Sequence, residues 1–337
     1  MIKLNWKIIL IIAVSGLCIL EGFLLLDKRQ NDLADRDYTR AYQQNNRIFS
    51  IVLPEEIDFA GEPVPMELYY VREGLDRELL VNAYWQSNTL LLLKKANRYF
   101  RVMEPILMKN NVPDDFKYLA LIESGLANVV SPAGASGIWQ FMEETGKRYG
   151  LEITEEVDER YHLEKATEAA CKLLRNSYVI FGSWTLSAAA YNAGESRIQK
   201  ESDKQSVRNY FDLYLNQETS RYIYRILALK LLYEHPTEFG YFLRNKDLYP
   251  SIPARSVDID TTVNSLPALA IKLQVSYKIL KEFNPWLRKD KLTIAKGKRY
   301  TLTLPEAGYK DFKSLTKGIR DPEQIFNDTL ANGKLYQ

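Results

Sequence analysis

The feature that most constrains this chain is a helical pattern of apolar residues that runs nearly without a break over residues 76–248. It is clearest over residues 164–181, where small and apolar side chains recur at three- and four-residue spacing, as on one face of an α-helix. Gly182 follows this stretch as a stop signal. The face is formed by Ala166, Ala169, Ala170, Leu173, Leu174, Ser177 and Phe181. With a further helix over 221–234, the pattern predicts a mainly α domain.

A second and smaller domain is predicted beyond a proline-marked joint at Pro250 and Pro253. Alternating apolar residues near 256–259 and 300–304 indicate strands, and the two amphipathic segments between them indicate helices. The order strand, helix, helix, strand predicts a small α+β domain over residues 255–305. Residues 306–337 carry no strong pattern and are expected to form a tail.

The N-terminus carries an apolar stretch over residues 7–26. Its length matches the ~20 residues that cross a bilayer as a helix, and Lys3 and Lys7 lie at its start, as in a signal anchor. We predict an uncleaved transmembrane helix within residues 1–26, then a stalk and an extended lead-in over 27–75. Ala13 and Ser15 are small enough for a cleavage site, so a cleaved signal peptide is the alternative.

Composition excludes several classes of protein. Lys plus Arg total 45 and Asp plus Glu total 43, and this balance argues against a nucleic-acid binder. The two cysteines, Cys18 and Cys171, lie in the apolar stretch and on a predicted buried helix face, so no disulfide framework is expected. With only His162 and His235, a histidine-built metal site is not expected either. No cofactor is implied.

Glu123 is the candidate for acid–base chemistry. Pro113 is predicted at the first helical position and Gly125 at the C-terminal cap, which places Glu123 in the last turn, on the face shared with Phe116 and Leu119. Apolar surroundings and the negative helix end both raise the pKa of a carboxyl group. A raised pKa keeps a general acid protonated for transfer to a glycosidic oxygen. On spacing alone, a glutamate that turns to solvent is favoured.

Two neighbouring segments change that balance. Residues 131–140 form a loop of small residues that leads into Trp139 and Gln140, and small residues allow a ligand to approach the backbone. The Gln140 amide can both donate and accept hydrogen bonds. An alanine-rich helix beginning at residue 184 is expected to end at Gly194, which leaves Tyr191 and Asn192 at its tip.

Four short motifs occur in one order along the chain: Glu123-Ser124, Gly137-Ile-Trp-Gln140, Ala190-Tyr-Asn-Ala-Gly194 and Glu218-Thr-Ser-Arg-Tyr222-Ile. Together they resemble the motif set of the soluble-lytic-transglycosylase (SLT) family, in its membrane-bound type D form, over residues 76–248. The resemblance implies a lysozyme-like helical fold. It also implies cleavage of the bond between N-acetylmuramic acid and N-acetylglucosamine in peptidoglycan, at the cell envelope or in the periplasm.

The resemblance also assigns roles residue by residue. Glu123 takes the role of the single acid/base. Five further residues are expected to line the substrate cleft, the first two around the muramyl group and the others beside the glutamate: Ser131, Gln140, Tyr191, Asn192 and Tyr222. The partners implied are peptidoglycan glycan strands and, through residues 7–26, the membrane.

Residues 255–304 resemble a LysM domain, a small module that grips glycans containing N-acetylglucosamine. The Gly-Asp-Thr-Leu element usual near its start is replaced here by Thr262-Val-Asn-Ser-Leu266. Since that element helps to shape the sugar groove, we expect weak glycan binding or none.

Glycoside hydrolases usually use two carboxylates, and no partner for Glu123 stands out. Glu143, Glu144 and the acidic run at 152–158 are interpreted as solvated positions. A lone acid can protonate the leaving oxygen and then deprotonate the muramyl 6-hydroxyl, which attacks its own anomeric carbon. The expected product is a 1,6-anhydro end. A muramidase that uses water is one alternative. The other is a catalytically silent peptidoglycan-binding protein, which would be expected to lose Glu123.

Overall fold

The computed structural model describes residues 49–316 together with Glu21, Leu25 and Arg36. The chain divides into two units, residues 1–50 and 51–337, and both predicted domains lie within the second. Apart from those three positions, the predicted membrane helix and most of the predicted stalk lie outside the described residues. Within the described part of the chain, no helix is both long enough and apolar enough to cross a membrane.

Helices make up more than half of the described residues of the second unit, so the prediction of a mainly α protein is confirmed. It opens with a two-stranded hairpin, β1 (Asp58–Phe59) and β2 (Glu62–Pro63). The helices that follow are α1 (Tyr69–Tyr84), α2 (Gln86–Lys109), α3 (Phe116–Ser124), α4 (Glu143–Arg148), α5 (Leu163–Phe181), α6 (Trp184–Ala193), α7 (Glu195–Gln205), α8 (Gln217–Ser220) and α9 (Tyr222–Glu234). Short 3₁₀ turns occupy Glu159–Tyr161, Tyr210–Asp212, Pro236–Phe239 and Asn245–Asp247.

The predicted helix over 164–181 is present as α5. It buries the predicted face as far as Ser177, while Phe181 is only partly buried. Gly182 ends the helix with φ 65°, the left-handed conformation that glycine adopts without steric cost. The helix packs against α6, which carries Tyr191.

Helix α9 lies at the centre of the domain. It is buried on almost every side from Tyr222 to Leu232, with Arg225 as the partly exposed position. A helix that is apolar all round belongs inside a protein core. Because α9 packs on α3, it brings Tyr222 next to the helix that carries Glu123.

Two boundaries differ from the sequence prediction. Residues 69–75 are not extended, since they form the first turns of α1. Helix α3 begins at Phe116 and not at Pro113. The Asp115 carboxylate accepts from the Ala60 N–H at 2.7 Å and from Lys230 Nζ at 2.8 Å. It is therefore committed to tertiary contacts and does not cap the helix.

The predicted order of strand, helix, helix and strand is found in the C-terminal region. Strand β3 (Ala254–Ile259) pairs antiparallel with β4 (Tyr300–Pro305), and α10 (Leu266–Lys272) and α11 (Tyr277–Phe283) lie between them in sequence. A further short helix, α12, covers Phe312–Leu315. The small apolar core of this region contains Leu266, Ala270, Leu280, Leu302 and Leu304.

The interpretation of residues 152–158 as a solvated acidic face was wrong for most of the run. Glu152 and Glu156 contact residues of the C-terminal region, and Asp158 is buried beside Arg160. Lysine side chains, the Tyr300 hydroxyl and the Thr293 N–H of the C-terminal region are the partners of Glu152 and Glu156. Glu155, with 90% of its side chain exposed, is the member of the run that fits the prediction.

Candidate active site

Glu123 lies in the last turn of α3, as predicted, and is partly buried. Gly125 ends the helix with φ 60°, and its N–H donates to the Leu121 carbonyl at 3.0 Å. The carboxyl group therefore lies at the negative end of a short helix, next to a sharp change in chain direction. A side chain in that place is held by the core on one side and is reachable from solvent on the other.

The Tyr222 hydroxyl donates a hydrogen bond to Glu123 Oε1. Tyr222 is only 1% exposed. Burial, and then the adjacent Glu123 charge, raise the pKa of Tyr222 far above its usual value, so the phenol stays protonated and remains a donor. Since Oε1 is occupied as an acceptor, Oε2 is the oxygen on which the proton of a neutral Glu123 would be carried.

Burial is the largest influence on Glu123, and the net effect is a raised pKa. Two groups act in the opposite direction: the Tyr222 hydrogen bond and the positive charge of Arg225. Arg225 is held in place because its Nη2 donates to the Ile122 carbonyl at 3.1 Å. The environment thus favours a neutral carboxyl while keeping a donor and a cation close to it.

Glu218 is the acidic group that the sequence analysis passed over. Its negative charge contributes to the raised pKa of Glu123, so it lies within electrostatic reach. It is solvent-exposed and accepts from Asn192 Nδ2 at 3.1 Å. The signal was available, because Glu218 opens the motif that ends in Tyr222.

Tyr191 contacts the site from α6. Its hydroxyl donates to the Trp139 carbonyl at 2.6 Å. Burial and the Glu123 charge raise the pKa of Tyr191 well above its usual value. Trp139 itself is fully buried, and its indole N–H donates to Thr167 Oγ1 at 2.9 Å. Trp139 therefore anchors the loop to the core and offers no face to a ligand.

The loop of residues 131–141, named here the site loop, is fastened to the glutamate helix. Ser124 Oγ donates to the Ile138 carbonyl at 2.8 Å. Gly137 has φ 80°, and a Cβ built on it would lie 1.9 Å from the Arg160 carbonyl oxygen. Only glycine can occupy this position without displacing the neighbouring segment.

Ser131 and Gln140 make their contacts within and beside the same loop. Ser131 Oγ accepts from the Ala135 N–H at 3.0 Å. Gln140 Nε2 donates to the carbonyls of Gly137 at 2.7 Å and Val129 at 3.1 Å. The expectation that Gln140 offers both a donor and an acceptor was therefore wrong, because the loop backbone uses the amide N–H groups. Its Oε1 is the atom that can face a ligand.

Asn192 links the tip of α6 to α8. Its Nδ2 donates to Glu218, and its Oδ1 accepts from Thr219 Oγ1 at 2.9 Å. The other end of α6 is capped by Glu62, whose carboxylate accepts from the Thr185 N–H and from Ser183 Oγ, both at 2.9 Å. Both ends of the helix that positions Tyr191 are thus fixed by tertiary contacts.

The helical region and the C-terminal region each match a known family model. Residues 102–213 match the transglycosylase SLT domain, and residues 255–308 match the C-terminal LysM-like domain of soluble lytic transglycosylases. The chain carries an SLT domain. Glu123, the site loop and the Tyr191 helix all lie within the matched range, whereas Tyr222 lies beyond its end.

Curated relatives resemble the chain over most of its length. The membrane-bound lytic murein transglycosylase D of Escherichia coli K12 is 29% identical over 290 residues, which is 82% of this chain and 62% of that protein. The protein of the same name in E. coli O6:H1 gives the same figures. The chain therefore spans less than two thirds of these relatives. The solved structure of the 70-kDa soluble lytic transglycosylase of E. coli also matches. The match covers 48% of this chain and 30% of the transglycosylase chain, with 21% identity and a TM-score of 0.38.

The SLT match and the helix α9 that follows it thus bring four of the predicted residues into one group: Glu123, Tyr191, Asn192 and Tyr222. Tyr222 contacts Glu123 directly, Tyr191 binds the backbone of the site loop, and Asn192 binds Glu218, whose charge acts on Glu123. Ser131 and Gln140 instead stabilise the site loop. Within the described part of the SLT domain and of the region after it, no cluster of His, Cys, Asp and Glu could hold a metal ion. The chemistry that this arrangement offers is proton transfer from and to one carboxyl group.

Proposed function

We propose that this protein is a peptidoglycan lytic transglycosylase, which cleaves the β-1,4 bond between N-acetylmuramic acid and N-acetylglucosamine without water and leaves 1,6-anhydro ends. The observation that carries the proposal is the state of Glu123: a partly buried carboxyl of raised pKa with Oε1 bound to Tyr222. The SLT match over residues 102–213 and the relatives named for murein transglycosylase activity support the same conclusion.

The first half of the reaction uses Glu123 as an acid. The proton on Oε2 passes to the glycosidic oxygen, and the bond from that oxygen to the muramyl anomeric carbon breaks. As Glu123 becomes a carboxylate, the Tyr222 hydrogen bond and the Arg225 charge stabilise it. Hydrogen bonds to a charge that develops during reaction lower the barrier more than those to a neutral group.

The second half uses the same residue as a base. The carboxylate takes the proton from the muramyl 6-hydroxyl, and O6 bonds to the anomeric carbon that the leaving sugar has vacated. Every atom of the substrate is retained in the two products, and Glu123 returns to its protonated form. The nucleophile belongs to the same sugar, so the reaction benefits from its proximity.

Ser131, Gln140 and Asn192 are proposed to line the cleft around the substrate. Gln140 Oε1 is suited to accept from a sugar hydroxyl or from an acetamido N–H, since Nε2 is held by the site loop. Asn192 is proposed to keep Glu218 in place and thereby to set the charge acting on Glu123. A lysozyme-like SLT domain over residues 76–248 and a LysM-like domain over 255–305 belong to the same proposal.

The proposed location is the cell envelope, with the SLT domain facing the wall. The two E. coli relatives are both named as membrane-bound lytic murein transglycosylases. The apolar residues 7–26 are proposed to serve as the membrane anchor. N-terminal sequencing of the protein taken from membranes tests this, and a mature start near residue 16 would refute it.

The reaction is tested by mass analysis of fragments released from purified peptidoglycan. Because ring closure admits no water, each muropeptide is expected to be lighter by one water than a lysozyme product. Sodium borohydride should leave the new ends unreduced, since an anhydro ring has no free aldehyde form. Reducible ends that carry the extra water would refute the proposed reaction.

A muramidase is the second candidate, and Glu218 is the observation that favours it. This exposed carboxylate lies within electrostatic reach of Glu123, and a second carboxylate could activate water. The Glu218→Gln variant separates the two reactions. A transglycosylase should keep most of its activity and its anhydro product, with the pKa of Glu123 raised less. A muramidase that uses Glu218 as its base should lose activity by about 10²–10⁴-fold.

A further inference from the structure

The C-terminal module, residues 255–305, is joined to the SLT domain by backbone contacts. Residues 152–162, named here the bracing segment, supply the SLT side. Val157 pairs with Leu287 in an antiparallel β-bridge. On either side of it, the Asp158 N–H donates to the Trp286 carbonyl and the Arg288 N–H donates to the Glu156 carbonyl, both at 2.8 Å. Val157 and Leu287 are 2% and 0% exposed and share one apolar core.

Charged side chains reinforce this contact. The Glu156 carboxylate accepts from the Thr293 N–H at 2.7 Å, and this bond lowers the pKa of Glu156 and keeps it ionised. Glu152 accepts from Lys298 Nζ at 2.7 Å and from the Tyr300 hydroxyl at 2.8 Å. Hydrogen bonds of this kind, with one ionised partner, are about twice as strong as neutral ones.

Aromatic groups close the edge of the same interface. The Arg288 guanidinium lies 4.1 Å from the centre of the Tyr161 ring. The rings of His162 and Trp286 stack at 5.9 Å. Contacts thus run along the whole bracing segment, from Glu152 to His162. A module tethered by a linker alone would not be expected to bury residues of both partners in one core.

The opposite side of the bracing segment holds the site loop. Arg160 is 9% exposed, and Asp158 fixes its guanidinium through Nε at 2.9 Å and Nη2 at 2.7 Å. The remaining nitrogen, Nη1, donates to the carbonyls of Gly134 at 3.2 Å and Phe141 at 3.3 Å. One side chain therefore bridges Gly134 and Phe141, two well-separated positions of the loop.

The site loop in turn contacts the candidate acid. Ser124, the neighbour of Glu123, donates to the Ile138 carbonyl, and Tyr191 donates to the Trp139 carbonyl. Gly137 lies so close to the Arg160 backbone that not even a methyl group fits between them. A displacement of the bracing segment must therefore move the loop that carries Gln140.

We propose that the C-terminal module is a fixed brace of the catalytic unit, which holds the site loop in its active geometry through the bracing segment, with Arg160 as the positioning residue. This goes beyond the proposed function, since it gives the module a role that does not require it to bind glycan. It also differs from the expectation for a separate wall-binding domain, because the surface formed by Trp286, Thr293 and Tyr300 is engaged by the SLT domain.

Hydrogen–deuterium exchange on the full chain tests the proposal without an activity measurement. The reporters are three amides that bond within or beside the site loop: Ser136 and Phe141, which bond each other, and Gly137, which donates to the Val129 carbonyl. The perturbation is the double variant Glu152→Ala/Glu156→Ala. The control is Glu155→Ala, which removes one carboxylate from the same segment, where the double variant removes two, but breaks only a 3.7 Å exposed ion pair with Lys289.

In the double variant, exchange should rise in the bracing segment and, by about tenfold, at the three reporters, because weaker docking lowers the free energy of local opening. Glu155→Ala should match the wild type. Site-loop amides that exchange at wild-type rates in the double variant would overturn the proposal.

Substitution of Arg160 tests the same link at its other end. Arg160→Lys retains the charge but cannot donate to Asp158 and to two loop carbonyls at once, since lysine lacks the planar fork. Faster exchange is expected at the reporters in Arg160→Lys, while the amides of β3 and β4 remain protected. If the reporters stay protected, Arg160 does not position the loop. Should the wild type release no anhydro-muropeptides, the proposed function fails, whereas these exchange results stand independently.

Discussion

Tyr222→Phe removes one oxygen from the core and tests the assignment of the acid. The ring of Tyr222 is buried, and its hydroxyl donates to Glu123 Oε1. Phenylalanine keeps the packing and leaves no unpaired polar atom of its own. The fold should therefore persist, while the carboxylate formed on proton transfer loses its donor.

The size of the effect follows from the kind of bond that is lost. A hydrogen bond to a charged group contributes about 1.5–3 kcal/mol, and about 1.36 kcal/mol corresponds to tenfold in rate, so kcat should fall by about tenfold to a hundredfold. The pH dependence should change as well. Tyr222 lowers the pKa of Glu123, so its loss moves that pKa further up. The alkaline limb of the pH–rate profile should then move to higher pH.

Initial rates of release of anhydro-muropeptides, measured across pH, provide the assay. Tyr191→Phe is the matched control, because its hydroxyl donates to the Trp139 carbonyl and not to Glu123. Losing a neutral bond costs about 0.5–1.5 kcal/mol, so the rate should fall less and the alkaline limb should not move. An alkaline limb that stays in place in Tyr222→Phe, or that moves equally in both variants, would refute this account of the site.

Two further substitutions examine the acid and the loop. Glu123→Gln keeps an acceptor for the Tyr222 hydroxyl but cannot titrate, so activity should fall by about 10²–10⁴-fold while substrate binding persists. Retained cleavage would mean that another group is the acid, and Glu218 would be the first candidate. Because burial raises the pKa of Glu123, the folded state favours the protonated form, and wild-type stability is lost as pH rises through the folded pKa. The Gln variant should thus melt higher than the wild type at neutral pH, with the gain gone below about pH 4.3, the usual glutamate value. Gly137→Ala should lower the free energy of unfolding by about 2–6 kcal/mol through backbone strain and overpacking. Gly134 has φ 88° and nothing within 4 Å of an added Cβ, so Gly134→Ala should lower the free energy of unfolding through backbone strain alone, by about 1–3 kcal/mol. Urea unfolding measures both variants. Equal losses in the two would show that the close approach of Gly137 to Arg160 does not affect stability.

The parts of the fold that follow from local rules were predictable from sequence. Helix α5 and its end at Gly182 depend on a repeating apolar face and on glycine tolerance of positive φ, and both act within a few residues. The position of Glu123 before Gly125 follows in the same way. The start of α3 did not follow, because Asp115 is recruited by Ala60 and Lys230, which are distant in sequence.

The site was predictable as a set of residues but not as a set of contacts. Gln140 looked like an open hydrogen-bonding group, yet its amide nitrogen is used by two carbonyls of the loop backbone. Glu152 and Glu156 looked solvated because their partners lie more than 130 residues further along the chain. Charge patterns in sequence show which groups can pair, whereas tertiary structure decides with which groups they do.

The surroundings of Glu123 suit a residue that must act twice. Burial alone would give an acid that donates readily but becomes an unstable carboxylate in the apolar site. Tyr222 and Arg225 oppose burial without reversing it, so the pKa remains raised while the ionised form still has a donor and a cation beside it. In the proposed reaction these partners stabilise the carboxylate as it forms on proton transfer, and they keep it stable until the 6-hydroxyl attacks. Both influences at Glu123 therefore have a use in the proposed reaction: burial favours the acid of the first half, and Tyr222 and Arg225 support the base of the second half.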